Sequence, residues 1–309
     1  MIFVFLLSAI PAGTGATAAL CPMTFEGRIA QNATKALFTS AQSPFNPKYV
    51  LGQNVAWDQV ISFPEVEPSI YDKAVGAKAI EVTINDRSIF ASSSEGPETA
   101  LRRSELLINN NPSTITGQKT WFFSLHTSPS RPLNLSHEYL LAFHESQDYL
   151  ADFWSLKIGV PMQGPEHYGQ ILGYQDEGVT QNMLDVGEVL YLQGYKWAVP
   201  IQTYFLAPFA RNVWHNIGLY LDYDSNHMQV LYSSGSDPLK VMTPLLLNNL
   251  SGKAPTTLGE THIGIQKRPV GANLTNFLYE GEQEWGIHEG LVLGGIWQIE
   301  GHPGDCGIV

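Results

Sequence analysis

Basic residues are scarce in this sequence: 17 Lys and Arg stand against 29 Asp and Glu, a net charge of −12 over 309 residues. An acidic balance of this kind repels phosphate backbones and anionic lipid, so neither nucleic acid nor a membrane is an expected partner and a neutral ligand fits better. Cysteine is also nearly absent. The two present, Cys21 and Cys306, are too isolated for a zinc site, and the His137, Glu138, His144 and Glu145 spacing lacks the two-histidine helical pattern, so no metal is expected. Sustained heptads, internal repeats and low-complexity linkers are missing, and no later apolar run is long enough to span a bilayer. There is neither a Gly-rich phosphate loop nor a Gly-X-Ser-X-Gly elbow, which leaves nucleotide and serine-hydrolase chemistry without support. No cofactor is expected.

What is present points outward from the cell. Residues 1–18 read as a secretory signal, an apolar MIFVFLLSAI followed by small residues ending Ala16, Thr17 and Ala18, although a basic leading segment is lacking. Glycosylation sequons at Asn32, Asn134, Asn249 and Asn273 agree with a secreted, extracellular location. In an oxidising compartment, Cys21 and Cys306 are most simply read as one disulfide joining the ends of the mature chain. Residues 19–309 form a single expected domain, and a monomer is expected.

Short runs rich in β-branched and aromatic residues recur at 79–84, 88–91, 119–125, 138–145, 153–158, 213–223, 227–233, 262–266 and 290–299, bounded by turn formers. The spacing predicts an all-β, antiparallel sandwich. Short helices are expected within 69–78 and 180–188. Asp224, Ser225 and Asn226 predict a hairpin turn. The less regular 159–204 reads as long loops over one face.

Two glutamates stand out within these strands. In ALRRSELL, alternation puts Arg103 and Glu105 on one face; in HEYLLAFHES it puts Tyr139, Leu141, Phe143 and Glu145 together. A carboxylate beside an arginine stays ionised, whereas one among aromatics titrates high, and acid and base partners need such a split. A structural ion pair and a solvated strand end would give the same pattern.

The ordered segments FEGRI (25–29), FNPKYV (45–50), EVTINDRSIF (81–90), LRRSEL (101–106), RPLNLSHEYLLAFHES (131–146), SLKIG (155–159), VWHN (213–216), YSSGSDPLK (232–240) and GIHEGLVLGGIW (286–297) resemble glycoside hydrolase family 131, secreted fungal β-glucanases. The resemblance implies a β-jelly-roll sandwich with an open cleft on its concave sheet. It also implies hydrolysis of β-1,3-, β-1,6- and β-1,4-glucans, with Glu105 and Glu145 as the catalytic carboxylates.

On this basis the two glutamates are expected on neighbouring strands. Glu105 beside Arg103 is read as the ionised base and Glu145 near Phe143 and Tyr139 as the acid, with the reverse assignment open and inversion favoured. Arg103, His215 and Lys157 are the expected sugar contacts, with His215 placed beside the cleft. His215 also shares parity with Ile217, Leu219 and Leu221, as a core histidine would, and Lys157 can equally be a solvated charge. Trp197 and Tyr195 are the candidates for stacking on a pyranose face. Residues 164–205 depart from the family pattern, as does the absence of a four-cysteine cellulose-binding tail after Cys306. A polysaccharide lyase acting on uronate polymers, which would need more cations in the cleft, and a non-catalytic glucan-binding module are the alternatives.

Overall fold

Strands that alternate an apolar side with a polar one can close a core only by facing another sheet, and this chain does so with two. The computed structural model describes residues 21–52, 55–92, 96–109, 111–252 and 258–309; the expected signal at 1–18 lies outside them. One sheet runs, in order, Lys240–Val241, His227–Ser234, His215–Asp222, Gln118–Thr127, His288–Glu300, Ile80–Asn85 and Ile61–Ser62, with Met23–Glu26 and Leu246–Leu247 pairing alongside. The second runs Gln170–Gln175, Gln202–Pro208, Val189–Gln193, Asp152–Ile158, Tyr139–Ser146, Leu258–Lys267 and Arg102–Leu107. This is the expected β-jelly-roll sandwich, antiparallel except where Gln170–Gln175 runs parallel to Gln202–Pro208.

Between the sheets, Trp121, Phe123, Leu125, Ile217, Leu219 and Leu221 share one core with Leu141, Leu156, Ile263 and Ile265. Each such side chain contributes about 1.5–3 kcal/mol on burial. His215 lies in the first sheet, 1% exposed, within this packing. Its Nε2 donates to the Ala210 carbonyl (3.0 Å), its Nδ1 accepts from the Tyr232 hydroxyl (2.7 Å), and its ring stacks on Phe209. Burial pushes it down to about 4. The expectation that it borders the cleft is therefore corrected: parity with Ile217 puts it in the core.

The turn at 222–227 forms as its residues require. Asp222 Oδ1 accepts from the amides of Asp224 and Ser225, and Asn226 takes the left-handed conformation at φ 57°. Short helices occur at Ile70–Lys73 and Gln181–Asp185, capped by Ser69 and Thr180. Cys21 and Cys306 are joined in a disulfide, with Cα atoms 5.4 Å apart. All four sequon asparagines are exposed.

The region read as loops at 159–204 instead supplies Gln170–Gln175, Val189–Gln193 and the start of Gln202–Pro208, which extend the second sheet. Gly173 makes this possible. A Cβ there would lie 1.9 Å from the Tyr204 carbonyl oxygen, so only glycine admits the close strand approach. Gln170–Gln175 sets its apolar Ile171 and Leu172 side by side and exposed, with no apolar–polar alternation, which hides its strand character from a periodicity reading.

Candidate active site

The second sheet turns one face to the core, and the opposite face floors a cleft of about 1420 Å³. Three of its strands, in the order Arg102–Leu107, Leu258–Lys267, Tyr139–Ser146, bring the chemistry together. Register pairs Glu105 with Gly264, Arg103 with Gln266, and Phe143 with His262. Alternation then directs Glu105, His262, Gln266, Phe143 and Glu145 away from the core occupied by Leu106, Ile263 and Ile265. Gly264 is required here, because a Cβ would meet the Ser104 carbonyl oxygen at 2.4 Å and Glu105 Cα at 2.7 Å.

Glu105 is 0% exposed and fully engaged. Arg103 donates to it from Nη2 (2.7 Å) and Nε (3.1 Å), Gln266 Nε2 donates at 3.2 Å, and His262 Nδ1 lies 2.9 Å from Oε2. Arg103 also reaches Glu98 at 3.3 Å. Burial pushes Glu105 up, but the adjacent Arg103 charge and the His262 hydrogen bond outweigh it and hold the carboxylate below its ordinary range. Glu105 is accordingly ionised. The edge of its strand is covered by chain: the Asn46 amide donates to Leu107, and the Glu105 amide to Val50.

The imidazole of His262 stands between the two expected carboxylates, stacked on Phe143 at 4.5 Å between centroids. With Nδ1 bound to Glu105, its Nε2 is aimed at Glu145 Oε2, 3.5 Å away, and makes no hydrogen bond of its own. Glu145 lines the cleft. Burial raises it to about 7, helped by the negative charges of Asp152 and Glu105 and opposed by His262 and Arg103. Ionised and protonated carboxyls thus sit on either side of one imidazole.

Several expectations need correction. Glu105 and Glu145 are not on neighbouring strands, since Leu258–Lys267 separates them. Glu105 forms no part of the cleft wall, so as a base it has no direct access to water. A bulge between Leu140 and Ala142 breaks the alternation: Tyr139 and Leu141 turn into the core, Tyr139 donating to Glu289, while Phe143 and Glu145 face the cleft. Lys157 is 8% exposed, bonded to Gln193 (2.8 Å) and ion-paired with Glu138 (3.4 Å), away from the cleft lining. Arg103 does line the cleft, where it also holds Glu105. Trp197 borders the cleft with 54% of its surface exposed, whereas Tyr195 is buried against Phe153.

His262 and Glu260 were missed from sequence. The signal was there, because the polar His262 and Gln266 alternate with the apolar Ile263 and Ile265, and Glu260 has the same parity as the polar pair.

The family profile described as glycoside hydrolase 131 catalytic N-terminal domain matches residues 23–302. The chain belongs to this family. Among solved structures, the GH131 β-glucanase catalytic domain from Podospora anserina is similar at 16% identity and TM-score 0.61, over 91% of this chain and 96% of that one. The catalytic domain of the family 131 protein from Coprinopsis cinerea is similar at 15% identity and TM-score 0.59, over 91% and 95%. At such identities these likenesses establish the shared fold. A search of curated proteins returned no match. Family membership makes this protein a glycoside hydrolase.

Proposed function

We propose that this glycoside hydrolase is a secreted β-glucanase, acting on β-1,3-, β-1,6- or β-1,4-linked glucan with inversion, in which Glu145 protonates the departing oxygen. The observation that carries this reading is the cleft-facing Glu145, raised to about 7 and set 3.5 Å from a histidine backed by an ionised glutamate. A general acid must hold its proton near the working pH, and partial burial supplies that shift. Glu105 acts through His262 as a positioning residue: it fixes the imidazole tautomer and keeps Nε2 directed at Glu145. Arg103 in turn keeps Glu105 charged.

The cleft mixes aromatics and neutral polar groups with the cations Lys48, Arg103, Lys196 and Arg268 and the carboxylates Glu98, Glu145, Asp148, Asp152 and Glu260, so it offers no net positive field for a polyanionic uronate chain and suits an uncharged polysaccharide. Trp197 offers an exposed indole face, tethered through its Nε1 to the Leu150 carbonyl (3.2 Å), on which a glucose ring can stack. Tyr49 and Tyr149, 55% and 65% exposed, supply further apolar surface along the same cleft. Secretion is supported by the four exposed sequons and the disulfide.

Reducing-end release from laminarin and barley glucan tests the reading. Wild-type chain is expected to release sugar, and Glu145→Gln to lose on the order of 10³-fold in kcat. Full turnover in Glu145→Gln would remove Glu145 from the mechanism. An unsaturated, ultraviolet-absorbing product from a uronate polymer would point to lyase chemistry instead.

A further inference from the structure

Hydrolysis with inversion needs two carboxylates that reach the cleft, one for the leaving oxygen and one for water. Glu105 does not reach it: its side chain is 1% exposed and its oxygens are occupied by Arg103, Gln266 and His262. Another glutamate does. Glu260 lies on the same strand as His262 and the same face, lines the cleft, and has 35% of its side chain exposed. Its Oε2 is 4.0 Å from His262 Nε2, the nitrogen that Glu145 Oε2 approaches at 3.5 Å. Among the described residues no hydrogen bond ties it to the protein scaffold.

We propose that Glu260 is the base that activates the hydrolytic water, opposite Glu145. The inference rests on the β-glucanase reading and completes its chemistry. Glu260 removes a proton from water as the water oxygen bonds to the anomeric carbon. The bond from that carbon to the departing oxygen breaks, and its electron pair stays on the oxygen, which takes the proton of Glu145. Each cycle leaves Glu260 protonated and Glu145 ionised. His262 Nε2, between the two, accepts the proton from Glu260 and returns it to Glu145, so the site resets without net change. This gives the unbonded nitrogen a purpose that a structural ion pair does not.

The test compares Glu260→Gln, Glu260→Ala and Glu145→Gln with wild type on laminarin and on a dinitrophenyl β-laminaribioside. Glu260→Gln is expected to lose about 10³-fold in kcat on both substrates with KM changed less than about threefold and an unaltered melting temperature. Glu145→Gln should recover on the aryl glycoside alone, because dinitrophenolate leaves without a proton. Azide should restore Glu260→Ala turnover by about tenfold or more, releasing an α-glycosyl azide identifiable by NMR. The proposal is overturned if Glu260→Gln stays within about tenfold of wild-type kcat on the aryl substrate, or if the azide product retains the β configuration. Wild-type cleavage of the aryl glycoside but not of any β-glucan would count against the polymer assignment, leaving Glu260 judged by the aryl comparison.

Discussion

Two carboxylates, Glu138 buried and Glu145 partly so, stand near the two ends of the Tyr139–Ser146 strand, and their surroundings drive them in opposite directions. Glu138 accepts from Arg268 (2.7 Å) and the Met162 amide (3.0 Å) and pairs with Lys157 (3.4 Å). Burial raises it, but Lys157 and Arg268 overcome that and bring it down to about 2. Glu145, at the other end, has no cation of its own: His262 and Arg103 are shared with Glu105, and burial takes it up to about 7. Burial by itself therefore does not mark a functional carboxylate. What distinguishes Glu145 is incomplete compensation together with access to the cleft.

The sharpest break between the two is made by glutamine at each. Glu145→Gln should abolish turnover on the order of 10³-fold. Glu138→Gln should leave kcat nearly unchanged below its melting point but cost roughly 3–5 kcal/mol, because Lys157 and Arg268 then lose their buried counter-charge. Chemical denaturation alongside the reducing-end assay separates these outcomes. Comparable activity losses from both substitutions would erase the distinction.

Proton linkage sharpens the same contrast. Glu138 titrates below its ordinary 4.5, so its contribution to stability is present above pH 4.5 and fades as pH falls towards 2. Glu145 titrates above 4.5, so its contribution is full below that pH and is lost as pH rises through about 7. Glu145→Gln is therefore expected to be more stable than wild type above pH 7, by about 1–2 kcal/mol after allowing for partial solvent screening. Glu138→Gln should be less stable above pH 4.5, with the gap closing in acid. Melting temperatures from pH 3 to 9 read both.

The array behind Glu145 is open to a subtler test. Glu105→Gln removes an anion that helps to raise Glu145 and releases Arg103 and His262 to act on it more strongly. Glu145 should then titrate lower, and the alkaline limb of kcat should move to lower pH. An unmoved limb would mean that Glu105 has a purely structural role.

How much of this was visible in sequence follows from how local each feature is. Glu105 and Arg103 are two residues apart on one strand, so alternation alone placed them together. The same alternation puts Tyr139 on the face of Glu145, but a bulge between Leu140 and Ala142 shifts the count by one and turns Tyr139 into the core. Bulges leave no compositional trace here. His262 reaches the site only through its register with Phe143 and Leu107, a pairing across distant parts of the chain. Lys157 illustrates the reverse: its strand was correctly expected, but Glu138 claims its charge. His215 followed the bland pattern of its apolar neighbours, and the pattern was right. The strands of 164–205 were illegible because the edge strand places Ile171 and Leu172 next to each other instead of alternating and its partner approach depends on Gly173.

The aromatic surface is where the smallest effect is expected, and it bears on whether the cleft wall or the charged floor determines affinity. Trp197 lies beside Lys196, whose ammonium is 5.0 Å from the indole centroid and 5.3 Å from that of Phe277, so the ring is braced on one side and exposed on the other. Stacking a glucose on such a face is worth roughly 1 kcal/mol, comparable to an aromatic pair beyond its area burial. If the interaction is the same in ground and transition states, Trp197→Ala should raise KM about fivefold while kcat holds. The effect should grow with chain length, since short oligosaccharides bound at Glu145 alone need not extend to the indole. A KM ratio independent of oligosaccharide length would place Trp197 at the cleavage point itself, and a fall in kcat instead would show that the wall positions the bond for Glu145.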